Sequence, residues 1–213
     1  MARSVAERAD VVPVLAELLR ARGYEGMSLS DVEQATGLGR GSLYHFFPGG
    51  KKEMVAVVLT HIDDWFEREV FEPLRGAGDA RAGIGAMFDA VDRYFRSGRR
   101  VCLIGALALG DSRDPFSEVI ASYFERWATA LAQAIRRSRP RGPGAAASRA
   151  EALDALAAIQ GGLTLARALD DPAAFGTAVE RARERLIGPI RAKPIRAKPV
   201  RAKPVRAKRR HRA

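Results

Sequence analysis

Cysteine is nearly absent from this 213-residue chain. The single Cys102 excludes an internal disulfide and a thiolate metal cluster, so packing alone must hold the fold. Histidine is almost as scarce: His45, His61 and His211 are too scattered to suggest a metal set, and no metal or other cofactor is expected. No apolar run approaches the ~18 residues of a membrane span. The longest, Val101 to Leu109, is far shorter, and no positively charged start leads into an apolar signal core, so a cytoplasmic protein is expected. A phosphate loop, a dinucleotide fingerprint and a nucleophile elbow are all missing. The acidic pairs Asp63-Asp64 and Asp170-Asp171 lack a partner for acid–base work and read as a solvated helix face and a helix start. Nothing supports an enzyme. The alternation of a strand is missing as well, which leaves an all-α reading.

Acid is absent from the last stretch of the chain. From Arg191 to Ala213 there are eleven Lys or Arg and no Asp or Glu; without them the 36 basic residues fall to 25, equal to the 25 acids. The net charge of +11 therefore belongs to the tail, and the body, in a chain 47% hydrophobic, is a neutral folding composition. The tail repeats RAKPI, RAKPV, RAKPV. Lys before Pro is pushed out of the helical region and Pro cannot continue a helix, so an extended, disordered basic tail over 191–213 is expected. The repeat reads equally as a product of replication slippage, but its charge will meet phosphates whatever its origin.

What is present is concentrated between Tyr24 and Lys52, YEGMSLSDVEQATGLGRGSLYHFFPGGKK. Ser28 with Asp31 forms a Ser-x-x-acid capping box opening a short helix. That helix should end at Gly37, with Leu29, Val32 and Ala35 as its buried stripe and Leu38 closing the turn. Thr36-Gly37-Leu38-Gly39 is a tight connection between steeply crossing helices. A second helix, Arg40 to Phe46, turns Leu43 and Phe47 inward and leaves Arg40, Ser42, Tyr44 and His45 on the remaining face. The pattern is a helix-turn-helix with a polar, basic recognition face; a helical hairpin with merely solvated charges is the bland alternative.

The run GY, the capped SLSDV, ATGLGRGSLY, an aromatic pair, Pro and Lys resembles the N-terminal domain of TetR-family transcriptional regulators over roughly the first sixty positions. The resemblance implies that Arg40 and Ser42, flanking Gly41, reach base edges, and that Ser28, Tyr44, His45 and Lys51 grip phosphates. Their chemistry suits these roles, since Arg can be bidentate to guanine and Lys near a helix start meets a phosphate. Three departures stand out. Phe46 occupies a position where the family often has His or Tyr, Gly39 replaces the usual Ser cap, and Gly49-Gly50 lengthens the loop before Lys51.

The remaining periodicity gives helices only. Helix 1 is expected from a cap at Asp10 to Gly23, with Pro13 in its first turn and Val11, Val14, Leu15, Leu18 and Leu19 as its stripe. A long amphipathic helix on Met54 to Val70 should end at Pro73. Next come a helix on Ile84 to Phe95, a short one over Val101 to Gly110 buried at the domain centre, and an aromatic-rich one starting at Asp114-Pro115. A linker at Pro140 to Gly144 precedes two last helices, about Ser148 to Leu169 and Pro172 to Ile187, with the Gly161-Gly162 pair permitting close approach of a backbone or ligand. The domains are expected at 1–50, a helix-turn-helix DNA-binding domain, and 51–190, a helical effector-binding and dimerisation domain.

Phe88, Tyr94, Phe95, Phe116, Tyr123 and Trp127 could line a small-molecule cavity, with Gln160 as its polar group. Residue by residue they read as core, and it is the family resemblance that implies an apolar or amphipathic effector. Cys102 joins this set, although it heads an apolar helix, where a thiol is buried and inert. The resemblance further implies a homodimer through the last two helices that binds a palindromic operator in double-stranded DNA and is released by its effector. The rival is an architectural, DNA-compacting protein dominated by its tail.

Overall fold

The Ser28 capping box and the Gly37 stop bound one short helix as expected, and the computed structural model, which describes residues 7–76 and 78–188, shows where other expected ends are overridden. Helix α1 (Arg8–Gly26) starts from Glu7, so Asp10 falls in its first turn, where a negative charge still favours the helix dipole. Pro13 then lies inside the helix, on its exposed side, where solvent can satisfy the freed carbonyl. Gly23 breaks the helix as expected, at φ 70° and ψ 176°. Val11, Leu15 and Leu19 are buried with Val12 and Ala16, while Val14 and Leu18 sit only half-buried at the rim.

Helix α2 (Leu29–Thr36) packs on α1, α3 (Arg40–Phe46) packs on α2, and α4 (Gly50–Phe66) packs against α1. Beyond α4 the expected stop at Pro73 does not occur. The rod widens into a π-helical turn over Glu67–Phe71, where Glu72 N–H reaches back to Glu67, and continues as α5 (Glu72–Arg75). A π turn shifts the hydrogen-bond register, which accommodates the missing donor of Pro73; the helix ends at Gly76 instead. Asp63 is half-buried and paired with Arg126 rather than solvated beside the exposed Asp64, and Arg126 also bonds Glu67.

Asp79 caps α6 (Ala80–Tyr94) by accepting the Arg81 N–H at 2.9 Å. The short α7 (Leu103–Leu109) differs most from expectation. It buries Leu103, Ile104 and Leu107 but leaves Ala106 exposed and Leu109 90% exposed, so it lies at the surface rather than the centre. A 3₁₀ turn over Asp111–Phe116 then leads into α8 (Ser117–Ser138), which begins two residues after Pro115. Helices α9 (Ala145–Ala168) and α10 (Ala173–Ile187) pack on each other, α9 also on α8 and α10 also on α6. Gly162 allows the α9–α10 approach, since a methyl there would sit 3.0 Å from Ala178 Cβ. No strand occurs among the described residues. The RAKP repeat from Arg191 lies outside them.

Candidate functional site

The helix-turn-helix is built by short-range hydrogen bonds. Ser28 Oγ accepts the Asp31 N–H at 3.1 Å, and Asp31 Oδ2 accepts the Ser28 N–H at 2.9 Å and its hydroxyl at 2.7 Å. These bonds, from the Ser28 hydroxyl first and its N–H next, hold the Asp31 carboxyl below its ordinary value. Gly37 at φ 72° ends α2 by donating to Glu33 O, a left-handed cap that glycine adopts without strain. Thr36, not Ala35, completes the buried side. Ala35 is exposed, and the Thr36 hydroxyl donates to Val32 O at 2.7 Å while accepting the Leu38 N–H at 3.2 Å, which fixes the turn.

Helix α3 is anchored by Leu43 and Phe47, both fully buried. Arg40, Gly41, Ser42, Tyr44 and His45 all face solvent, Tyr44 at 45% exposure. Arg40 lies 3.6 Å from Glu33 on the preceding helix. Lys51, by contrast, folds back on α1: its ammonium stands 4.5 Å over the Tyr24 ring and donates to Glu25 O at 3.3 Å. Ser28 is likewise occupied, by its cap. Periodicity gave no sign of Glu53, which accepts the Gly49 N–H at 2.8 Å and pairs with Arg8 at 2.7 Å, tying the two-glycine loop to α1. The only local signal is its one-turn spacing from Gly49.

The expected effector aromatics gather elsewhere. Phe66 is the hub of a packed cluster, with ring centroids 5.0 Å from Tyr94, 5.0 Å from Tyr123, 5.3 Å from Trp127 and 6.4 Å from Phe95. Phe88 is buried beside them, the Trp127 indole donates to Met87 Sδ at 3.3 Å, and Phe116 meets Tyr24 of α1 at 5.5 Å. The Tyr123 hydroxyl is buried without a partner, and burial pushes its pKa well up. A cavity of about 680 Å³ opens between α7 and α9 instead, walled by Val101, Leu109, Phe124 and Leu163. Cys102 and Gln160 line it; the six aromatics do not. Cys102 Sγ accepts the Gly105 N–H at 3.3 Å and burial raises its pKa, so the thiol is neutral and a poor nucleophile. Gln160 Nε2 is buried with no partner, and its Oε1 would lie 2.5 Å from a methyl at Gly105. Glycine at 105 thus makes room for this amide at the cavity wall. Among the described residues no three His, Cys, Asp or Glu side chains converge on a metal position.

Residues 14–58 match the bacterial regulatory proteins of the tetR family, and residues 80–181 match the C-terminal domain of LmrA/YxaF-like transcriptional regulators. The uncharacterised HTH-type transcriptional regulator Rv0196 of Mycobacterium tuberculosis is 30% identical over 141 residues, covering 59% of this chain and 68% of that one. The chain belongs to the TetR family. The HTH-type regulator LmrA of Bacillus subtilis is 24% identical over 164 residues, 74% of this chain and 85% of the relative. Among solved structures, a TetR-family regulator from Agrobacterium tumefaciens superimposes with a TM-score of 0.71 at 19% identity, over 84% of this chain and 99% of that one. The TetR-family regulator CifR, in a cysteine mutant complexed with 26 bp operator DNA, gives 0.69 at 24% identity, over 85% and 98%. This TetR-family chain is accordingly a DNA-binding transcriptional regulator and not an enzyme. No helix among its described residues is long and apolar enough to cross a membrane.

Proposed function

We propose that the protein is a homodimeric repressor that binds a palindromic operator and is released by a small apolar or amphipathic effector. The observation that carries the operator half is the wet face of α3, where Arg40, Ser42, Tyr44 and His45 are exposed around the buried anchor Leu43. Arg40 and Ser42 read base edges, with Gly41 letting the helix approach. Ser28, Tyr44, His45 and Lys51 contact phosphates, Lys51 after leaving the Tyr24 ring. One seven-residue helix reads few bases, so two half-sites about one helical turn (~34 Å) apart are needed. Helix α9 supports the dimer: Ala146, Ala150, Leu153, Ala157 and Gly161 fall on one exposed side, a face nearly free of charge that a second copy would cover. Residues 1–50 form the DNA-binding domain and 51–190 the effector and dimerisation domain, joined mechanically by α4.

The effector enters the cavity between α7 and α9. Its apolar body rests on Leu109, Phe124 and Leu163, and an acceptor atom meets the unfilled Gln160 amide. Phe124 at the cavity wall packs edge-on against Tyr123 at 5.1 Å, and Tyr123 meets Phe66 at 5.0 Å, so the displacement is relayed along these rings to the end of α4. The test is a titration of the full chain against operator and scrambled duplex across a salt series. A regulator should prefer its operator by at least ~10³. A ratio near one would favour the architectural reading, for which the eleven tail charges are the supporting observation. Ending the chain at Ile190 should weaken binding to both duplexes and flatten the salt slope by about 0.9 per lost phosphate contact, leaving the ratio unchanged.

A further inference from the structure

A second cleft, of about 620 Å³, lies between α1, α4 and α6, with Trp65 and Tyr94 in its lining. It is formed by the loop after α6, in which Arg96 and Ser97 both hold left-handed backbones, at φ 51° and 52°. Non-glycine residues avoid that region unless their surroundings hold them there. The loop is pinned by Ser97 N–H to Asp92 O and Arg100 N–H to Phe95 O, each at 3.0 Å. It returns Arg100 over the Tyr94 ring at 4.8 Å, and Arg100 reaches Glu17 of α1 at 2.7 Å. Arg20 of α1 approaches the same Glu17 oxygen at 3.1 Å and donates to the Tyr94 hydroxyl at 3.1 Å.

One carboxylate oxygen, on a side chain 51% exposed, is thus shared by two guanidiniums whose side chains are only 6% and 20% exposed. The Nε atoms of both Arg20 and Arg100 are buried and unpartnered. A guanidinium is normally matched by a carboxylate through two parallel hydrogen bonds, and buried donors left empty are costly. The cleft carries Arg20, Arg93, Arg96 and Arg100 against Glu17 and Glu69, with His61 as a further titratable group beside Tyr94. Its apolar wall is made by Trp65 and Tyr94, whose ring centroids are 4.6 Å apart. Arg100 also donates to Tyr94 O at 3.4 Å, so the two guanidiniums share a single carboxylate oxygen and otherwise meet only neutral acceptors; beside Trp65 and Tyr94 they form a site for a flat anion.

We propose that this cleft is a ligand site separate from the α7–α9 cavity, taking a small planar aromatic carboxylate. The carboxylate of the ligand replaces Glu17 between Arg20 and Arg100, and its ring lies against Trp65, at the edge of Tyr94, whose face Arg100 covers. The occupant would touch α1 on one side and α6 on the other, bridging the DNA-binding half to the regulatory half.

The probe is benzoate, with benzamide as its neutral counterpart and inorganic phosphate as an anion without a ring. Binding to the full chain is measured by calorimetry without DNA, so that failure here leaves the operator reading intact. Fluorescence in a Trp127→Phe background leaves Trp65 as the only indole and reports the location. Benzoate should bind saturably and perturb Trp65, with benzamide at least about tenfold weaker, as expected when a charge-assisted pair is lost. Arg100→Met should weaken benzoate by a similar factor, and Arg100→Lys, which keeps the charge but not the fork, by less. Glu17→Gln should tighten it, because the competing carboxylate is gone; a folding defect would act in the other direction. No benzoate binding, equal affinity for benzamide, or weakening by Glu17→Gln would each overturn the site. Phosphate binding as tightly as benzoate would overturn the planar ligand.

Discussion

Helices α2 and α3 are consecutive, nearly equal in length and opposite in how they are held. Helix α2 closes both ends with its own neighbourhood, through the reciprocal Ser28–Asp31 box and the left-handed Gly37. Helix α3 starts at Gly39 with no side-chain cap and is only seven residues long. Helices that short are not stable alone, so α3 exists because Leu43 and Phe47 are fully buried against its neighbours. The first helix is specified locally and the second by tertiary packing, which leaves Arg40, Ser42, Tyr44 and His45 facing outward while Phe46 rests half-buried on the core. An exposed polar surface is therefore obtained by confining the anchors of α3 to its buried side.

The largest expected effect tests that dependence. Leu43→Ala should destabilise the protein by about 2–5 kcal/mol, as buried Leu truncations do, and denaturant unfolding would measure it. A cost under 1 kcal/mol would mean that α3 is held by something other than its anchor. Arg40→Ala should do the reverse, leaving unfolding unchanged while removing about 1–3 kcal/mol of operator preference per half-site. Duplex titrations with operator and scrambled sequences decide this, since equal losses on both would make Arg40 a phosphate contact. On the locally specified side, Ser28→Ala should cost ~1 kcal/mol of stability through its cap.

Acid sharpens the same point. The folded state lowers the Asp31 pKa, so its contribution is complete above the ordinary carboxylate value and is lost as pH falls through the lowered one. Thermal melts of wild type and Ser28→Ala should therefore differ most at neutral pH and by less as pH drops below the usual carboxylate range, the Ser28 hydroxyl still accepting the Asp31 N–H. A constant gap would separate the cap from the Asp31 charge. Smallest of all, Gly39→Ser would give α3 the cap it lacks and should raise stability by only a few tenths of a kcal/mol. A larger gain would show that packing holds α3 less firmly than its buried anchors indicate.

Legibility followed the same division. The bounds of α2 and α3 and the exposed polar side of α3 were readable because caps, glycines and periodicity act within a few positions. The Ala35 expectation failed because a helical wheel ranks residues by polarity, whereas Thr36 can bury its hydroxyl by bonding Val32 and Leu38. Pro73 misled for a related reason: its missing donor is absorbed by a π turn a few residues earlier, which no propensity encodes. In the regulatory half, the aromatic positions gave correct inward faces, but whether an inward face meets a cavity or another ring was not readable. Phe66 fills the space that Tyr94, Tyr123 and Trp127 could have enclosed, and the open volume lies under the half-exposed α7.

By itself the sequence determined the helical class, the ends of the helix-turn-helix, its outward polar face and the confinement of surplus charge to the tail. These are properties of residues a few positions apart, where backbone hydrogen bonding and side-chain spacing leave little choice. Tertiary structure alone decided which apolar faces meet, that Lys51 rests on Tyr24, and that Arg20 of α1 and Arg100 of the loop after α6, about eighty residues apart, converge on one Glu17 oxygen. Periodicity tells which side of a helix is turned inward; what stands opposite depends on how long-range packing closes the volume.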